Sequence, residues 1–536
     1  MPKRLDETET PMPKVLISDK LSPRAADIFR ERGVDVDFRP GLSDEELREA
    51  IRDADGLAIR SATTVTAELL DAAENLKVVG RAGIGVDNVD IDAATQRGVV
   101  VMNTPFGNSV TTAEHAIAMM MSLARQLPLA NASTHAGKWE KTAFMGMEVA
   151  GKTLGLIGCG NIGSIVADRA HGLKMRVVVF DPFLSAERAA DLSIEKVEFE
   201  ALLARADVIS IHAPLTDGTR DLLDANAFSR MKDGVRIVNC ARGGILVEAD
   251  LRDAIESGKV AGAAIDVFAE EPANENILFG LPQVIATPHL GAATSEAQEN
   301  VALQVAEQMS DYLLSGAVSN AINMPSVTAE EAPHLKPYMS LAEKLGSFAG
   351  QLTETGLQGI TIEFHGHVAT LNTRPLISSA IAGLLRPLLD NINMVNATSV
   401  ARDRGIAITE TKHEQPGDYE TLICLSVKTD RRSRSVAGTI FGGNRERIVE
   451  IKDIPIEAEW GTHMLYITNK DRPGVIGDLG RTLAENGVNI ATFHLGRSGP
   501  GDDAIALLQV DDAVPETVVD QLENLNNIVQ VKALEF

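Results

Sequence analysis

The feature that most limits how this 536-residue chain can fold is one glycine-rich turn. Gly158, Gly160 and Gly163 match the spacing G-x-G-x-x-G, and the turn follows a strand-like run, KTLGLI, and opens a helix-like run, NIGSIVADRA. In a βαβ unit the first glycine permits the tight turn, the second admits a pyrophosphate, and the third lets the helix pack on the sheet. On its own, such a match is a structural turn about as often as it is a phosphate-binding site. Here the strand-like run before it and the helix-like run after it favour a phosphate-binding strand–turn–helix unit.

An acidic residue at the end of the next strand-like run completes this pattern. Asp181 ends the run MRVVVFD, 18 residues after Gly163 (181 − 163 = 18), where a carboxylate binds the ribose hydroxyls of a dinucleotide. The same carboxylate repels a 2′-phosphate, and Pro182 and Phe183 follow it with no adjacent Lys or Arg. An aspartate that only closes a turn is the alternative. Together with the glycines, Asp181 predicts NAD and not NADP as the cofactor.

Short apolar strand-like runs alternate with helix-like runs through the first part of the chain. Five such runs lie between Lys14 and Asn103, and six more follow from Gly151. Repeated βα alternation indicates parallel sheets, so the predicted fold class is α/β with two doubly wound, Rossmann-like sheets. The apolar stretch Ser109–Ala130 is predicted as one buried helix that connects them. The helical run TSEAQENVALQVAEQMSDYLLSG is expected to return to the first domain, which is then discontinuous.

The pattern changes near Asn323, where the proline-containing stretch NMPSVTAEEAPHLKP indicates a linker. The segment that follows mixes helix-like and strand-like runs, which predicts an α+β intervening domain. From His463 the order of runs is βαββαβ, the ferredoxin-like split unit. The predicted organisation is a disordered tail (1–13), a substrate-binding domain (14–107 and 295–324), a nucleotide-binding domain (108–294), the intervening domain (325–460) and the βαββαβ domain (461–536).

The charge balance argues against several classes of partner. The chain has 50 basic and 75 acidic residues, a formal net charge of −25, which repels nucleic acid and anionic membrane surfaces. A small anionic substrate then needs locally clustered arginines. The candidates are arginines that lie beside a predicted glycine-rich turn, namely Arg60, Arg81 and Arg242.

The chain has three cysteines, Cys159, Cys240 and Cys424. An odd number at wide spacing does not suggest a disulfide framework, which is consistent with a reducing compartment. The polar N-terminal stretch contains no apolar run, and no segment approaches ~18 uninterrupted apolar residues. We therefore expect a cytoplasmic protein without a membrane segment. His365 and His367 flank Gly366 on a predicted strand, but no third ligand is evident, so no metal site is predicted.

Three groups suited to anion binding and proton transfer follow predicted strands of the nucleotide-binding domain. Arg242 lies in NCARGG, where its guanidinium can bind a carboxylate through two parallel hydrogen bonds and polarise a neighbouring keto group. Glu271 lies in VFAEEP and His289 in IATPHLGA. Hydride transfer to a keto acid leaves an alkoxide, and an imidazole held by a carboxylate can supply its proton and remove it in reverse. Taken alone, a surface arginine and a structural histidine remain alternatives.

Together these motifs resemble one known family. GCGNIG, NCARGG, AEEP and TPHLGA, with GRAGIGVDNVD and NTPFGNS upstream, resemble the D-isomer-specific 2-hydroxyacid dehydrogenases from Lys14 to Asn323. The resemblance implies that Arg242, Glu271 and His289 are catalytic, with His289 as the proton donor. It implies cofactor contacts at Gly158, Gly160, Asn161, Ile162, Gly163, Asp181, Ala213, Cys240, Ala241, Asp266, Gly291 and Ala292. It implies substrate contacts at Arg60, Gly83, Gly85 and Asn108, and a loop near a neighbouring subunit at Trp139 and Lys141.

The C-terminal part narrows the resemblance within that family. NKDRPG, starting at Asn469, followed by GVNI, starting at Gly487, looks like an ACT domain, a βαββαβ module that binds amino acids at subunit interfaces. The resemblance implies a homodimer or homotetramer and an L-serine effector site at Asn469, Asp471 and Asn489. The intervening domain resembles one that holds a second anion. A solvated basic face is the simpler explanation for its candidate arginines, Arg431, Arg432, Arg434 and Arg447.

The full set of domains implies the activity. Family members built in this way oxidise 3-phospho-D-glycerate to 3-phosphohydroxypyruvate with NAD, the first step of L-serine synthesis, so this reaction is our expectation. A related reductase of hydroxypyruvate, glyoxylate or 2-oxoglutarate would share the catalytic residues and differ in the pocket for the substrate tail. An NAD-sensing binding protein, similar to the transcriptional corepressors with this scaffold, is the third hypothesis; those corepressors lack an amino-acid-binding tail domain.

Overall fold

The computed structural model describes residues 12–327, 330–354 and 356–536. The predicted disordered tail, 1–13, lies mostly outside the described residues. Four sheets follow one another along the chain, two of them wholly parallel, one mixed and one antiparallel. The predicted α/β fold class, with an α+β part and a ferredoxin-like part behind it, is confirmed. No helix among the described residues is long and apolar enough to cross a membrane.

The first sheet has five parallel strands in the order β2-β1-β3-β4-β5. Its strands are β1 Lys14–Ile17, β2 Asp35–Phe38, β3 Gly56–Ile59, β4 Val78–Arg81 and β5 Val100–Asn103. Its helices are α1 Pro23–Glu31, α2 Asp44–Ala50, α3 Ala67–Ala72 and α4 Ile91–Gln96. Each of these helices begins after a side chain that accepts a hydrogen bond from its first turn, namely Ser22, Ser43, Thr66 and Asp90.

The predicted helix from Ser109 to Ala130 is two helices, α5 Ser109–Arg125 and α6 Leu127–His135. Gln126 between them is left-handed, with φ +51°. Pro128 explains the break, because proline lacks an N–H and its ring clashes with the carbonyl four residues earlier, that of Ala124, so α5 cannot continue through it. The prediction of a single uninterrupted helix is therefore wrong at Gln126.

The second sheet has seven parallel strands in the order β12-β11-β10-β9-β6-β7-β8. Its strands are β6 Thr153–Ile157, β7 Arg176–Phe180, β8 Glu195–Lys196, β9 Val208–Ile211, β10 Val235–Asn239, β11 Val260–Ile265 and β12 Val284–Ala286. Its helices are α7 Asn161–Gly172, α8 Ala186–Asp191, α9 Phe199–Arg205, α10 Ala225–Arg230 and α11 Glu248–Glu256. Strand β8 was not predicted from the sequence, because a strand of two residues is too short to show an alternating apolar pattern. The strand order reverses between β6 and β9, where open α/β sheets bind ligands at the carboxyl edge.

Helix α12, Ser295–Ser315, returns to the first sheet as expected. Val301, Val305 and Met309 of α12 lie in one buried cluster with Val15 and Val78 of the first sheet. The first and second sheets therefore form two bodies joined by α5 and by the chain leading into α12.

The third sheet has six strands in the order β14-β13-β15-β16-β17-β18. β13 and β14 are parallel to each other, and the other pairs are antiparallel. The strands are β13 Leu357–Gly366, β14 Ala407–His413, β15 Thr421–Thr429, β16 Ser433–Phe441, β17 Arg445–Ile451 and β18 Ile454–Glu459. The helices are α13 Ala332–Gln351, α14 Arg374–Leu385 and α15 Ala397–Asp403.

The fourth sheet is antiparallel, in the order β20-β21-β19-β22. Its elements are β19 His463–Lys470, α16 Val475–Glu485, β20 Ile490–Arg497, β21 Asp503–Val510, α17 Glu516–Glu523 and β22 Ile528–Glu535. This sheet shares a hydrophobic core with the third one, since Met464 and Tyr466 cluster with Leu341 and Phe348 of α13. The Phe348 and Tyr466 rings meet edge to face, with centroids 5.6 Å apart.

Candidate active site

The glycine-rich turn joins β6 to α7 at the carboxyl edge of the second sheet. Gly158 has φ +92°, and a Cβ there would lie 2.5 Å from the His212 carbonyl oxygen, so only glycine fits. A Cβ on Gly163 would overlap the Gly158 carbonyl oxygen. Gly160 has open space above it and is the N-cap residue of α7, which no side chain caps. The N–H groups of this helix N-terminus can therefore bind a pyrophosphate.

Asp181, which follows β7, accepts hydrogen bonds from two backbone N–H groups. Its Oδ2 accepts from Cys159 at 2.8 Å and its Oδ1 from Phe183 at 2.8 Å. The bond from Phe183 thus stabilises the turn after β7, and the bond from Cys159 connects that turn to the glycine-rich turn. The result is a fixed negative charge beside the turn, an arrangement that suits ribose hydroxyls and disfavours a 2′-phosphate.

His289 lies beyond β12, and Glu271 lies in the loop after β11. The His289 Nδ1 is 2.7 Å from Glu271 Oε2, and Glu271 Oε1 accepts from the Phe268 backbone N–H at 3.0 Å. The two side chains are 49% and 34% exposed, so solvent or a ligand can reach both. With the Nδ1 proton donated to the carboxylate, the His289 Nε2 carries the lone pair.

A buried aspartate holds the segment that carries His289. Asp266 is 0% exposed, and its carboxylate accepts from three donors, the Thr287 hydroxyl at 2.6 Å and the N–H groups of Leu290 at 2.7 Å and Gly291 at 2.9 Å. Burial acts to raise the pKa of Asp266, but the His115 imidazole, 3.4 Å away, and the hydrogen bonds from Thr287 and Leu290 outweigh burial and lower it. Its backbone carbonyl also accepts from His289, whose φ is +55°. Asp266 thereby stays charged and fixes the backbone under His289.

Arg242 follows β10 and reaches across to the first-sheet body. Its Nε donates to the Asp87 carboxylate at 3.0 Å and its Nη1 to the Ala241 carbonyl at 2.7 Å. Gly85 makes room for the guanidinium, because a Cβ there would overlap the Nη2 atom. Arg242 thus meets the predicted substrate residue Gly85 and bridges the two bodies through Asp87.

A second guanidinium, that of Arg81, lies beside Arg242. Arg81 ends β4, and a Cβ on Gly83 would overlap its Nη1 atom. Its buried Nε has no hydrogen-bond partner within the described part of the chain. Burial, together with the charges of Arg242 and Arg60, lowers the pKa of Arg81 to about 10. The sequence indicated Arg81 as one of three arginines suited to an anionic substrate, through its place in the glycine-containing run GRAGIG, whereas the family resemblance did not include it among the substrate contacts.

Two other predicted substrate residues lie on the first-sheet side. Asn108 precedes α5 and is buried, and its side-chain Oδ1 has no hydrogen-bond partner among the residues described. The Arg60 backbone N–H donates to the buried Asp19 carboxylate at 2.6 Å, which fixes the residue at the end of β3. Opposite them, the Asn161 side chain of α7 donates to the Pro105 carbonyl at 3.4 Å. These contacts place both substrate and cofactor candidates at the junction of the two bodies.

The remaining predicted cofactor residues lie along the same carboxyl edge, in α7 or just after strands: Ile162, Ala213, Cys240, Ala241 and Ala292. Burial, with the nearby charge of Asp266, raises the pKa of the Cys240 thiol far above its usual range. Cys240 therefore stays protonated and is no nucleophile.

The predicted effector residues lie in the fourth sheet. Asn469 is buried at the end of β19, and its Oδ1 lacks a hydrogen-bond partner in the described structure. Asp471 accepts from the Gly501 N–H at 3.2 Å and from Arg497 Nη1 at 2.9 Å. These two bonds lower the pKa of Asp471.

Asn489 stands apart from the other two. It precedes β20 and donates to the Asp511 carboxylate at 2.7 Å. The register pairs both Ile490 and His463 with Val510 of β21, so Asn489 lies at the end of the sheet where β19 begins. At ~3.3 Å per residue, roughly 20 Å separates it from the far end of β19, where Asn469 lies. Within one chain the three residues do not form one site.

The candidate arginines of the intervening domain differ in their surroundings. Arg432 pairs with Glu354 at 3.4 Å, and Arg447 pairs with Glu459. Arg434 is half-buried, and its Nε and Nη2 have no hydrogen-bond partner among the described residues. Arg434 is therefore not part of a solvated basic face, which corrects the simpler explanation given above.

Comparison with known proteins identifies the family. Family models match residues 117–291 as the NAD binding domain of D-isomer specific 2-hydroxyacid dehydrogenases, 334–452 as a D-3-phosphoglycerate dehydrogenase intervening domain, and 463–527 as an ACT domain. The D-3-phosphoglycerate dehydrogenases of Bacillus subtilis and Archaeoglobus fulgidus are 43% and 42% identical to this chain. Each alignment covers 98% of this chain, and 99% and 100% of the respective relative. The chain belongs to the D-3-phosphoglycerate dehydrogenase family.

Solved structures resemble this member of the D-3-phosphoglycerate dehydrogenase family over a smaller share of its length. The NAD⁺-bound 3-phosphoglycerate dehydrogenase of Entamoeba histolytica is 29% identical with a TM-score of 0.51, and a glyoxylate reductase from Paecilomyes thermophila is 30% identical with a TM-score of 0.55. Each covers 58% of this chain and 99% of the solved chain. The family and NAD as the cofactor are confirmed, whereas the roles of individual residues remain predictions.

Proposed function

We propose that this chain oxidises 3-phospho-D-glycerate to 3-phosphohydroxypyruvate with NAD, as the first step of L-serine synthesis. The observation that carries the proposal is the His289–Glu271 pair at the same sheet edge as Arg242. Arg242 and Arg60 both lie close enough to Arg81 for their charges to act on it. A proton-accepting imidazole and a cluster of guanidinium groups suit an alcohol that bears both a carboxylate and a phosphate.

The arginines would divide the two anionic groups of the substrate between them. Arg242 can bind the carboxylate next to the reacting carbon, once the substrate replaces Asp87 on its Nε. Arg81 and Arg60 would take the phosphate, whose negative charge would offset the burial and the neighbouring positive charges that lower the pKa of Arg81. The net charge of −25 makes such a local positive cluster necessary for an anionic substrate.

The turn and helix N-terminus at the second sheet fit NAD. Gly160 leaves open space at the uncapped start of α7, where a pyrophosphate would lie, and the Asp181 carboxylate would bind the ribose hydroxyls. When bound, NAD accepts the hydride from the substrate carbon. Asp266 and the N–H groups it holds would keep His289 in place against the nicotinamide end.

His289 would remove the hydroxyl proton of the substrate. Because its Nδ1–H donates to Glu271, its Nε2 has the free lone pair and can accept that proton. Glu271 then stabilises the imidazolium, and it is itself fixed by the Phe268 N–H. Arg242 would polarise the oxygen that becomes the keto group.

The deciding experiment is a substrate panel. Purified protein is mixed with NAD or NADP and with 3-phospho-D-glycerate, and in the reverse direction with NADH and hydroxypyruvate, glyoxylate or 2-oxoglutarate, while NADH is followed by absorbance. We expect the highest kcat/KM for the phosphorylated substrate with NAD. A higher kcat/KM for glyoxylate or hydroxypyruvate would favour the reductase hypothesis. NADH binding with no turnover of any substrate would favour a binding protein.

We further propose that L-serine inhibits the enzyme at a site shared by two chains. Asn469 and Asp471 lie at one end of the fourth sheet and Asn489 at the other, so antiparallel pairing of two copies would bring them together. The assembly would be a homodimer or homotetramer, and Trp139, 81% exposed beside Lys141, would lie near a second interface. Activity at rising L-serine and the mass by light scattering test this; an unaffected rate and a monomeric mass would contradict it.

We place the protein in the cytoplasm. The support is chemical, since Cys159, Cys240 and Cys424 are all free thiols, as expected in a reducing compartment. Fractionation of the source cells with an antibody against the chain would test it, and recovery in a membrane or secreted fraction would contradict it.

A further inference from the structure

The intervening domain carries two histidines and a glutamate that the reaction does not use. β13 and β14 run parallel, and their register pairs His365 with His413. Alternate residues of a strand face the same side of a sheet, so Glu363, His365 and His413 project from one face. Phe364, on the other face, is buried in the core. Three side chains with metal-binding atoms therefore stand side by side on a partly exposed surface.

The ligand atoms of these side chains are already close together. The His365 Nε2 lies 3.6 Å and the His413 Nε2 3.9 Å from Glu363 Oε2, and all the ligand atoms lie within 4.8 Å of one another. Ligands about 2.0–2.2 Å from a tetrahedral Zn²⁺ are roughly 3.4 Å apart. The two distances to Glu363 thus exceed the required separation by only a few tenths of an ångström, and rotation of the two rings would supply any further approach of their nitrogens.

We propose that Glu363, His365 and His413 bind one divalent transition-metal ion, best matched by Zn²⁺, with water at the remaining positions. Two imidazole nitrogens and one carboxylate oxygen are the donors that zinc takes with an open fourth position. The two rings are stacked, with centroids 4.5 Å apart and planes 23° apart. Binding tilts them so that both Nε2 lone pairs point at the ion. The net charge of −25 raises the local concentration of cations.

The ion would join the edge strand of the third sheet to its neighbour. β14 is the edge strand of the six, and most of its residues are exposed. Edge strands have unpaired backbone groups on one side, so hydrogen bonds to a single neighbour hold them in the sheet. A metal bound by His413 of β14 and by Glu363 and His365 of β13 would hold them together. The expected effect is therefore on the stability of the intervening domain and not on the chemistry at His289.

A second cluster of three potential metal ligands is less suited to an ion. His115, Cys240 and Asp266 lie close together, but the Asp266 carboxylate already accepts from Thr287 and two backbone N–H groups. Burial keeps the Cys240 thiol protonated, since it raises its pKa far above the usual range. An ion there would have to displace both the hydrogen bonds and the proton.

His367 provides the matched control. The sequence paired it with His365 across Gly366, but His367 is exposed in the turn after β13 and is absent from the cluster. No third ligand was evident from the sequence, because the candidate partners of His365 lie two residues earlier and on a strand 48 residues later (413 − 365 = 48). Only the parallel register of β13 and β14 brings His413 beside His365.

The test uses tag-free full-length protein, stripped with a chelator, dialysed and titrated with ZnCl₂ by calorimetry. We expect one Zn²⁺ per chain in the unsubstituted protein and in His367→Ala, and none in His365→Ala or His413→Ala. Glu363→Gln should weaken the affinity by at least about tenfold, since even outer-shell changes cost ~10–100-fold. With Cu²⁺ as the probe, electron paramagnetic resonance should detect two coupled nitrogens, and one in His413→Ala.

Thermal unfolding with and without Zn²⁺ separates the loss of metal binding in a variant from a loss of folding. In chelator, Tm should be the same for His413→Gln, His367→Ala and the unsubstituted protein; added Zn²⁺ should raise Tm in the last two only. Equal stoichiometry in the unsubstituted protein and both histidine variants would overturn the proposal, as would no binding at all. A sulfur-to-cobalt charge-transfer band with Co²⁺ would place the ion on a cysteine and would also overturn it.

Discussion

The second and fourth sheets both carry polar residues at strand ends, but only the second gathers them into one site. All seven strands of the second sheet are parallel, so their carboxyl ends form one edge. Residues as far apart in sequence as Asp181, Arg242 and His289 therefore meet there. The fourth sheet is antiparallel, and Asn469 and Asn489 lie at its opposite ends. Topology thus lets the proposed catalytic residues gather within one chain, whereas the proposed effector residues could come together only between two chains.

Removing the imidazole should produce the largest effect. His289→Ala deletes the group proposed to take the substrate proton, so kcat should fall by about 10²–10⁴. NADH binding, measured by fluorescence titration, should be unchanged, because the turn and Asp181 are untouched. His135→Ala, an exposed histidine on α6, is the control. Equal turnover in His289→Ala and His135→Ala would refute the proton-transfer role.

Displacing the Arg242 guanidinium should have the second-largest effect. A Cβ at Gly85 would overlap Arg242 Nη2, so Gly85→Ala displaces the group proposed to bind the carboxylate, and a misplacement near 1 Å costs about 100-fold in kcat/KM. The control is Gly172→Ala at the end of α7, where a Cβ meets nothing within 4 Å. If Gly85→Ala kept full kcat/KM for 3-phospho-D-glycerate, Arg242 would not need its present position.

Acid should weaken the second-sheet body more than the fourth sheet. Burial lowers the pKa of His212 from 6.5 to about 4, so its contribution to stability is complete above pH 6.5 and is lost as the pH falls towards 4. The loss is at most ~3 kcal/mol. Asp471, also with a lowered pKa, lies at the surface with its side chain 25% exposed, so its bonds are partly screened by solvent.

Hydrogen exchange resolved by peptide tests this difference between the two regions. Between pH 6.5 and 4, protection, corrected for the intrinsic exchange rate, should fall around β9 and much less in β19. His212→Asn should flatten the pH dependence of the β9 peptides. Equal losses in both regions, or an unchanged slope in His212→Asn, would contradict the assignment to burial of this imidazole.

The smallest effect is expected at the bridge between the two bodies. Asp87 holds the Arg242 Nε at 3.0 Å and would compete with the substrate carboxylate. The Asp87 side chain is 68% exposed, so the pair contributes at most about 1 kcal/mol. Asp87→Asn should therefore lower KM for 3-phospho-D-glycerate by no more than about fivefold, with kcat unchanged, in steady-state assays. A raised KM would mean that Asp87 positions Arg242 instead of competing for it.

The sequence predicted those parts of the molecule that short, local patterns determine. The glycine-rich turn, Asp181 and the strands before Arg242 and His289 could be predicted because each lies within one βα unit. The predicted Glu271 also lies beside His289 in the structure, at 2.7 Å.

Features that depend on packing between distant segments could not be predicted in this way. The pairing of Arg242 with Asp87 joins two bodies, and the neighbourhood of Arg81 depends on the same junction. His413 reaches His365 only through the register of two parallel strands. Asn489 and Asn469 likewise lie apart because of the order and direction of the strands. The short motifs that contain them do not show at which end of the sheet each one lies.

NADH formation by mixed oligomers tests most directly the claim that one chain completes the catalytic site while two chains share the effector site. Chains with Arg242→Ala and chains with His289→Ala are unfolded and refolded together, and so are chains with Asp471→Ala and Asn489→Ala. The first mixture should recover no activity, whereas the second should regain inhibition by L-serine, because each mixed pair rebuilds one intact effector site. Activity regained in the first mixture, or inhibition absent from the second while the unsubstituted enzyme is inhibited, would contradict the account.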